Sequence, residues 1–341
     1  MNKILLGFIF CVVAAASFNG FFAKWAFLYD NERASFKYMY EGTAHRPFVY
    51  RQLMIFTAKE LNEKFFHGEP GFLLENFYEH DLLETHYAGV ILEPEYALEY
   101  HLVYCLSAAF LLISMFLWRK IGAEISGSAR AGTLAALIFA LIFPLLETVG
   151  GYFYDFGELL FFSLAVFFAM RGWWLALIIL APVAEFNKES FLFFAATLFP
   201  ILAAKVGKMR AGVTILTAIT LCGVVYLKIS ALYAGNPGGT VEIHLYDHVE
   251  NLLSGWLAPD FTYGLILGGG MFLPHVIFAA WIVRKSWAKL PPPWKLHVKL
   301  ALAVNVPLYL IFCFPGELRN LSMLYAGFLA MLAIFLSERG D

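Results

Sequence analysis

The sequence predicts an all-α, polytopic membrane protein. It reads as a bundle of about ten transmembrane helices, between eight and eleven, with short amphipathic helices in a long loop after the first. Three observations predict this. The 341 residues are 60% hydrophobic and 15% charged, against about 45–50% apolar and about 25% charged in a soluble globular chain. The mean hydropathy is +0.69. The apolar residues also fall into long runs, and roughly 20 residues of helix cross about 30 Å of hydrocarbon. So few charges cannot coat a soluble surface of this size, which excludes a soluble enzyme, a disordered chain, a collagen and a nucleic-acid binder. The net charge of −2, from 24 basic and 26 acidic residues, implies no global electrostatic partner. Cys11, Cys105, Cys222 and Cys313 each lie singly in an apolar run, so neither a disulfide framework nor a structural zinc site is expected.

The chain divides into spans at 5–29, 100–118, 131–149, 156–170, 173–184, 191–204, 211–229, 263–283, 300–314 and 321–336. The fourth to sixth are short enough to be tilted or broken. The first has a second reading. Lys3, the apolar stretch to Val13 and Ala14-Ala15-Ala16-Ser17 have the order of a cleaved secretory signal, but apolar and aromatic residues continue through Trp25 and Leu28, which favours a span. The whole of 1–341 is one transmembrane domain, with 30–98 inserted as a loop subdomain. That loop is too long to be a plain connector. Residues 51–66 set Leu53, Phe56, Leu61 and Phe65 among polar positions, and 72–78 repeat the pattern, as in helices lying on a membrane surface. Pro47 breaks any helix through YMYEGTAHRPFVYR. The GLILGGG at 264–270 lacks the Lys-Ser/Thr of a phosphate loop and suits close helix packing.

Alternating the spans from a cytoplasmic N-terminus gathers Lys3, Arg119, Lys120, Arg130, Arg171, Lys205, Lys208, Arg210, Arg284, Lys285, Lys289, Lys295, Lys299 and Arg339 in short inner segments. The acid-rich loop 30–98 then lies outside. This is the positive-inside arrangement, and it predicts a multi-pass protein of a bacterial inner membrane.

A charge at membrane depth is costly and marks a site or pathway. The outer ends of the spans carry Asp30, Glu32, Glu147, Asp155, Glu158, Glu185, Lys188, Glu189, Glu317 and Arg319, with His45, Arg46 and Arg51 in the adjacent loop. Asp155 and Glu158 are three apart and share a helix face. Together these predict one polar cavity open to the outer face. Arg binds phosphate oxygens in pairs and Lys adds a point charge. Carboxylates bind sugar hydroxyls, hold a divalent ion or act as general base. The mixture suits a phosphate beside a sugar. Asp30, Glu32 and Asp155 are the candidate catalytic acids. His45, Arg46, Arg51, Glu158, Glu185, Lys188, Glu189, Glu317 and Arg319 are candidates for substrate binding. Asp30 and Glu32 would hold a divalent cation such as Mg or Mn, if one is used. Local roles also fit each residue: Glu317 pairing with Arg319, Glu185 with Lys188, or Asp155 capping its helix with Glu158 at the third position. His244 and His248, with Asp247 between them, could face one metal on a helix, but no third ligand is evident.

The layout and the pieces His45-Arg46-Pro47-Phe48-Val49-Tyr50-Arg51, Tyr154-Asp155, Asn187-Lys188-Glu189-Ser190 and Pro315-Gly316-Glu317-Leu318-Arg319 resemble the C-type (GT-C) membrane glycosyltransferases, in a poorly characterised bacterial branch. The resemblance implies transfer of a sugar from a polyprenyl-phosphate carrier to a glycan, lipid or protein acceptor on the extracytoplasmic side. By position it makes Asp30 the catalytic base or metal-holding acid, and Arg46, Arg51, Lys188 and Arg319 candidates for the carrier's phosphate. Asp30-Asn31-Glu32 keeps the spacing of the Asp-x-Asp of some members, with Glu for the second Asp. Competing readings are a transporter or flippase of a lipid-linked or anionic substrate, and a polysaccharide polymerase or ligase. Transporter charges usually sit near the midplane within internal repeats; here they gather at one face and no repeat is visible.

Overall fold

A computed structural model describes residues 3–25, 27, 31–66, 96–147, 150–239, 242–253 and 273–338. Among them the fold is helical with no strand. Helix α1 (Lys3–Trp25) is followed in the loop after it by α2 (Asn31–Ala34), α3 (Phe36–Glu41) and α4 (Leu53–Leu61). The bundle continues with α5 (Ala97–Ser126), α6 (Ala129–Leu146), α7 (Phe153–Arg171), α8 (Trp174–Asn187), α9 (Phe191–Thr197), α10 (Phe199–Val206) and α11 (Lys208–Leu232). Next come α12 (Leu245–Leu253), α13 (Leu273–Ser286), α14 (Pro292–Phe312), a 3₁₀ segment (Leu318–Leu324) and α15 (Tyr325–Ser337). The second expected loop helix, at 72–78, and GLILGGG lie outside the described residues.

Among the described residues seven helices are long and apolar enough to cross a bilayer: α1, α5, α6, α7, α11, α14, and the 3₁₀ segment joined to α15. The other expected passages fall on shorter helices. Helix α8 has 14 residues, about 21 Å at 1.5 Å each, shorter than about 30 Å of hydrocarbon, yet it leads from the end of α7 that carries Arg171 back to the end that carries Asp155. The expected sixth span is split into α9 and α10 around Leu198, where Pro200 removes a backbone donor. At the break the Thr197 carbonyl accepts from Nδ1 of the buried His297 on α14, at 2.9 Å. Only the latter part of the expected eighth span, α13, is described.

Helix α7 is buried along nearly its whole length, whereas α11 is buried on a single stripe. The centre is aromatic. Phe21 of α1 meets Phe156 of α7 edge-on at 4.8 Å, and Phe18 meets Tyr104 of α5 at the same distance. Such pairs add about 0.5–1.5 kcal/mol each beyond the area they bury. Outward faces are apolar too: Ile4, Phe8, Ile179, Leu216 and Leu227 are all exposed, as lipid-facing positions are.

The connections sort to two ends. At one, Arg171 pairs with Glu124 at 2.8 Å and Lys289 with Glu338 at 2.7 Å. At the other, Asn236 Nδ2 donates to the carbonyls of Gly42 and Ala44 at 2.8 and 2.9 Å. Arg33 forks onto Glu242 at 2.7 and 2.8 Å. The turns at 150–152, 187–190 and 315–320 meet at that second end, as alternating spans require.

Candidate functional site

The site grows from the start of α7. Tyr152 is extended at the N-cap, and its N–H donates to Asp155 Oδ2 at 3.0 Å. Asp155 is thus the third helical residue of a capping arrangement, not the cap itself, and Glu158 is not its capping partner. One turn on, Glu158 points the same way. Both carboxylates reach Lys188 Nζ, which donates to Asp155 Oδ1 at 2.9 Å and to Glu158 Oε2 at 2.8 Å. The short span brings the lysine to this level. Asp155 is sixteen residues before Arg171, about 24 Å along α7, and Lys188 follows the roughly 21 Å of α8 that starts beside it.

The close approach of α8 to α7 needs Gly157, because a Cβ there would lie 2.1 Å from Asn187 Oδ1. Asn187 Nδ2 in turn donates to the Tyr154 carbonyl at 2.9 Å. Ser190 and Ser322 both donate to Glu158 Oε1, the latter at 3.0 Å.

Arg319 enters from the 3₁₀ segment. Its Nη1 lies 3.4 Å from Asp155 Oδ2, its Nη2 bonds Glu317 Oε1 at 2.8 Å, and its Nε donates to the Gly150 carbonyl at 2.8 Å. Gly150 has φ 64°, and a Cβ there would press on Arg319 and Glu317 at 3.0 Å. Glycine is the residue that takes both the turn and the contact. Beside this lies a second pair, in which Arg51 grips Glu189 with Nε and Nη2. Burial pulls against the Arg51 guanidinium, but the Glu189 charge, Tyr154 and the hydrogen bond to Glu189 together outweigh it and raise its affinity for the proton. For Glu189, burial pushes the carboxyl up, and Arg51 more than offsets this, holding it below the usual carboxylate range.

Two tyrosines connect the halves. Tyr152 and Tyr154 stack at 5.0 Å and 10°. Arg319 lies over Tyr152 at 4.9 Å, and Arg51 over Tyr154 at 4.6 Å. The cation–π contacts anchor each guanidinium by its flat face. None of Asp155, Glu158, Lys188 and Arg319 is more than 5% exposed. The expected open cavity is therefore a filled cluster: opposite charges brought this deep bond one another directly. Removing one partner of such a pair typically costs about 3–5 kcal/mol, since the other is left buried and unpaired. The edge of the cluster is wetter, with Glu317 and Glu189 side chains 20% and 29% exposed.

The structure thus joins Asp155, Glu158, Lys188, Glu317 and Arg319, and sets Arg51 and Glu189 against them. It does not join the rest. Glu185 is buried but does not pair with Lys188; its Oε2 accepts the Leu192 N–H at 2.9 Å. Arg46 turns to the loop after α11, bonding the Gly238 carbonyl at 2.7 Å, and His45 is half-buried beside it. Glu32 is exposed on α2 and makes no ion pair among the described residues. Asp30 lies outside the described residues, so the Asp30–Glu32 metal proposal has no geometry here. Among the described residues no three His, Cys, Asp or Glu group as metal ligands. His244 pairs with Asp247 at 2.6 Å while His248 turns to the Cys313 carbonyl at 2.9 Å, so the two do not face one ion. Sequence reasoning missed Tyr152, Asn320, Ser322 and the stacking role of Tyr154. The aromatic Tyr152-Phe153-Tyr154 ahead of Asp155 was the available signal.

Comparison with protein families, with curated proteins and with solved structures finds no match to this chain.

Proposed function

We propose that the protein is an integral membrane glycosyltransferase of the bacterial plasma membrane. It moves a sugar from a polyprenyl-phosphate carrier to an acceptor on the extracytoplasmic face, with its N-terminus in the cytoplasm. The supporting observation is the meeting of Lys188 and Arg319, from distant turns, on the carboxylates of Asp155 and Glu158 at one end of the bundle. A carrier phosphate entering there replaces carboxylate oxygens with its own. Arg319 offers a fork and Lys188 a point charge. Asp155, released from them, accepts the proton of an acceptor hydroxyl, and Glu158 holds sugar hydroxyls with Ser190 and Ser322. The bond from sugar to phosphate breaks, its electron pair leaves on the phosphate, and the two cations stabilise that charge. Preorganised cations of this kind supply most of such a rate. The test is sugar transfer from a labelled polyprenyl carrier by purified Asp155→Asn and Arg319→Ala chains. Each is expected to lose at least about a hundredfold; full activity in both discards the site.

A second reading, a transporter of a lipid-linked anion, is favoured by the interrupted α9–α10 pair, since transporters place sites beside broken helices. Substrate counterflow in proteoliposomes without chemistry selects it.

A further inference from the structure

One carboxyl beside the cluster takes no part in the pairing above. Glu147 ends α6 and is fully buried, and neither of its carboxyl oxygens has a hydrogen-bond partner among the described residues. Its backbone is well held: the Glu147 carbonyl accepts from Trp25 Nε1 at 2.8 Å, and one turn earlier Lys24 Nζ bonds the Pro144 carbonyl at 2.6 Å. The ionisable groups that act on it come from every side. They are Lys24 from α1, Asp155 from α7, Lys188 from the α8–α9 turn, Arg319 from the 3₁₀ segment and Tyr325 from α15. The inner cations are already matched, Lys188 and Arg319 against Asp155 and Glu158. An ionised Glu147 would be a buried charge with no hydrogen bond to either oxygen among the described residues, a costly state for a carboxylate. A neutral carboxyl removes the charge and leaves one O–H donor to be used.

We propose that Glu147 is a proton-holding residue of the site: its carboxyl is neutral in the folded protein and offers its O–H to an anionic phosphate ligand drawn in by Arg319. The held proton is independent of any reaction; its use toward a phosphate rests on the glycosyltransferase reading. The position of Arg319 supports that use. Three residues beyond Glu147 in the chain, the Gly150 carbonyl fixes Arg319 Nε, and the guanidinium lies close enough to act on the Glu147 carboxyl.

The test uses the full chain in lipid nanodiscs. Infrared difference spectra between wild type and Glu147→Gln at neutral pH are expected to show a protonated-carboxyl C=O band that the variant lacks. The band is expected to persist in Lys24→Met. Its absence from wild type, or its appearance only when Lys24 is removed, overturns the proposal. For the ligand role, farnesyl phosphate is the probe. Gln keeps a donor, so Glu147→Gln is expected to bind within about threefold of wild type and Glu147→Ala about tenfold more weakly. Equal binding by all three overturns the ligand role. Failure of wild type to bind farnesyl phosphate, with the infrared band present, refutes the glycosyltransferase reading and leaves the held proton standing.

Discussion

At the scale of the residue, the site is an exchange of partners under burial. Lys188 serves two carboxylates, Arg319 serves a carboxylate at each end, and the stacked tyrosines hold both arginines by their faces. The Arg51–Glu189 tie makes a pH prediction. Glu189 is held below the ordinary range, so the folded protein binds its proton more weakly than the unfolded chain does. The tie therefore stabilises the fold above the unfolded value of about 4.3, and that stability is lost as pH falls through the lower folded value. The difference in unfolding temperature between wild type and Glu189→Gln should be constant from neutral pH to about pH 5 and shrink at more acid pH. A difference that grows on acidification would contradict it. Some of this was legible in the sequence. The three-residue spacing of Asp155 and Glu158 does put both on one side, and both meet Lys188. The partner of Arg51 was not legible, because the loop and the α8–α9 turn are 138 residues apart and no local pattern links them. Glu185 misled for a related reason. Its spacing from Lys188 suits a helical pair, but α8 ends at Asn187 and the lysine is extended, which turns the two apart.

At the scale of the element, short helices do the positioning. Helix α8 stops early, and α9 starts where Glu185 caps the Leu192 N–H. The turn between them is thereby set against the first turns of α7. This depends on the α7–α8 approach at Gly157. Gly157→Ala must displace Asn187, and the expected cost is about 1–3 kcal/mol of stability, as for other overpacked cores. Urea or thermal unfolding in detergent measures it, and an unchanged midpoint would show that the helices are looser than described. Counting apolar runs does not give the lengths of these elements. Hydropathy registers an apolar stretch of 14 residues and one of 21 alike, while crossing a bilayer depends on length.

At the scale of the whole molecule, the meeting of the loop after α1 with the loop after α11, and of the turns at 150 and 319, puts the odd-numbered connections at one end. The membrane bundle and its helical class were legible from composition alone. Which turns touch was not, because that is fixed by packing of distant helices. The orientation is open to direct measurement. Single cysteines at Thr43 and Asn236 should react with an impermeant maleimide from outside intact cells, and cysteines at Ser128 and Lys208 only after permeabilisation. The reverse pattern would place the ion cluster on the cytoplasmic side and end the extracytoplasmic reading. The shortness of α8 also acts on its surroundings. Lipids flanking its 14 residues meet about 10 Å less apolar wall than those flanking the 21 of α14. A bilayer answers such mismatch by drawing inward, and a leaflet thinned beside α8 would bring headgroups nearer to Lys188 than a full-length helix would.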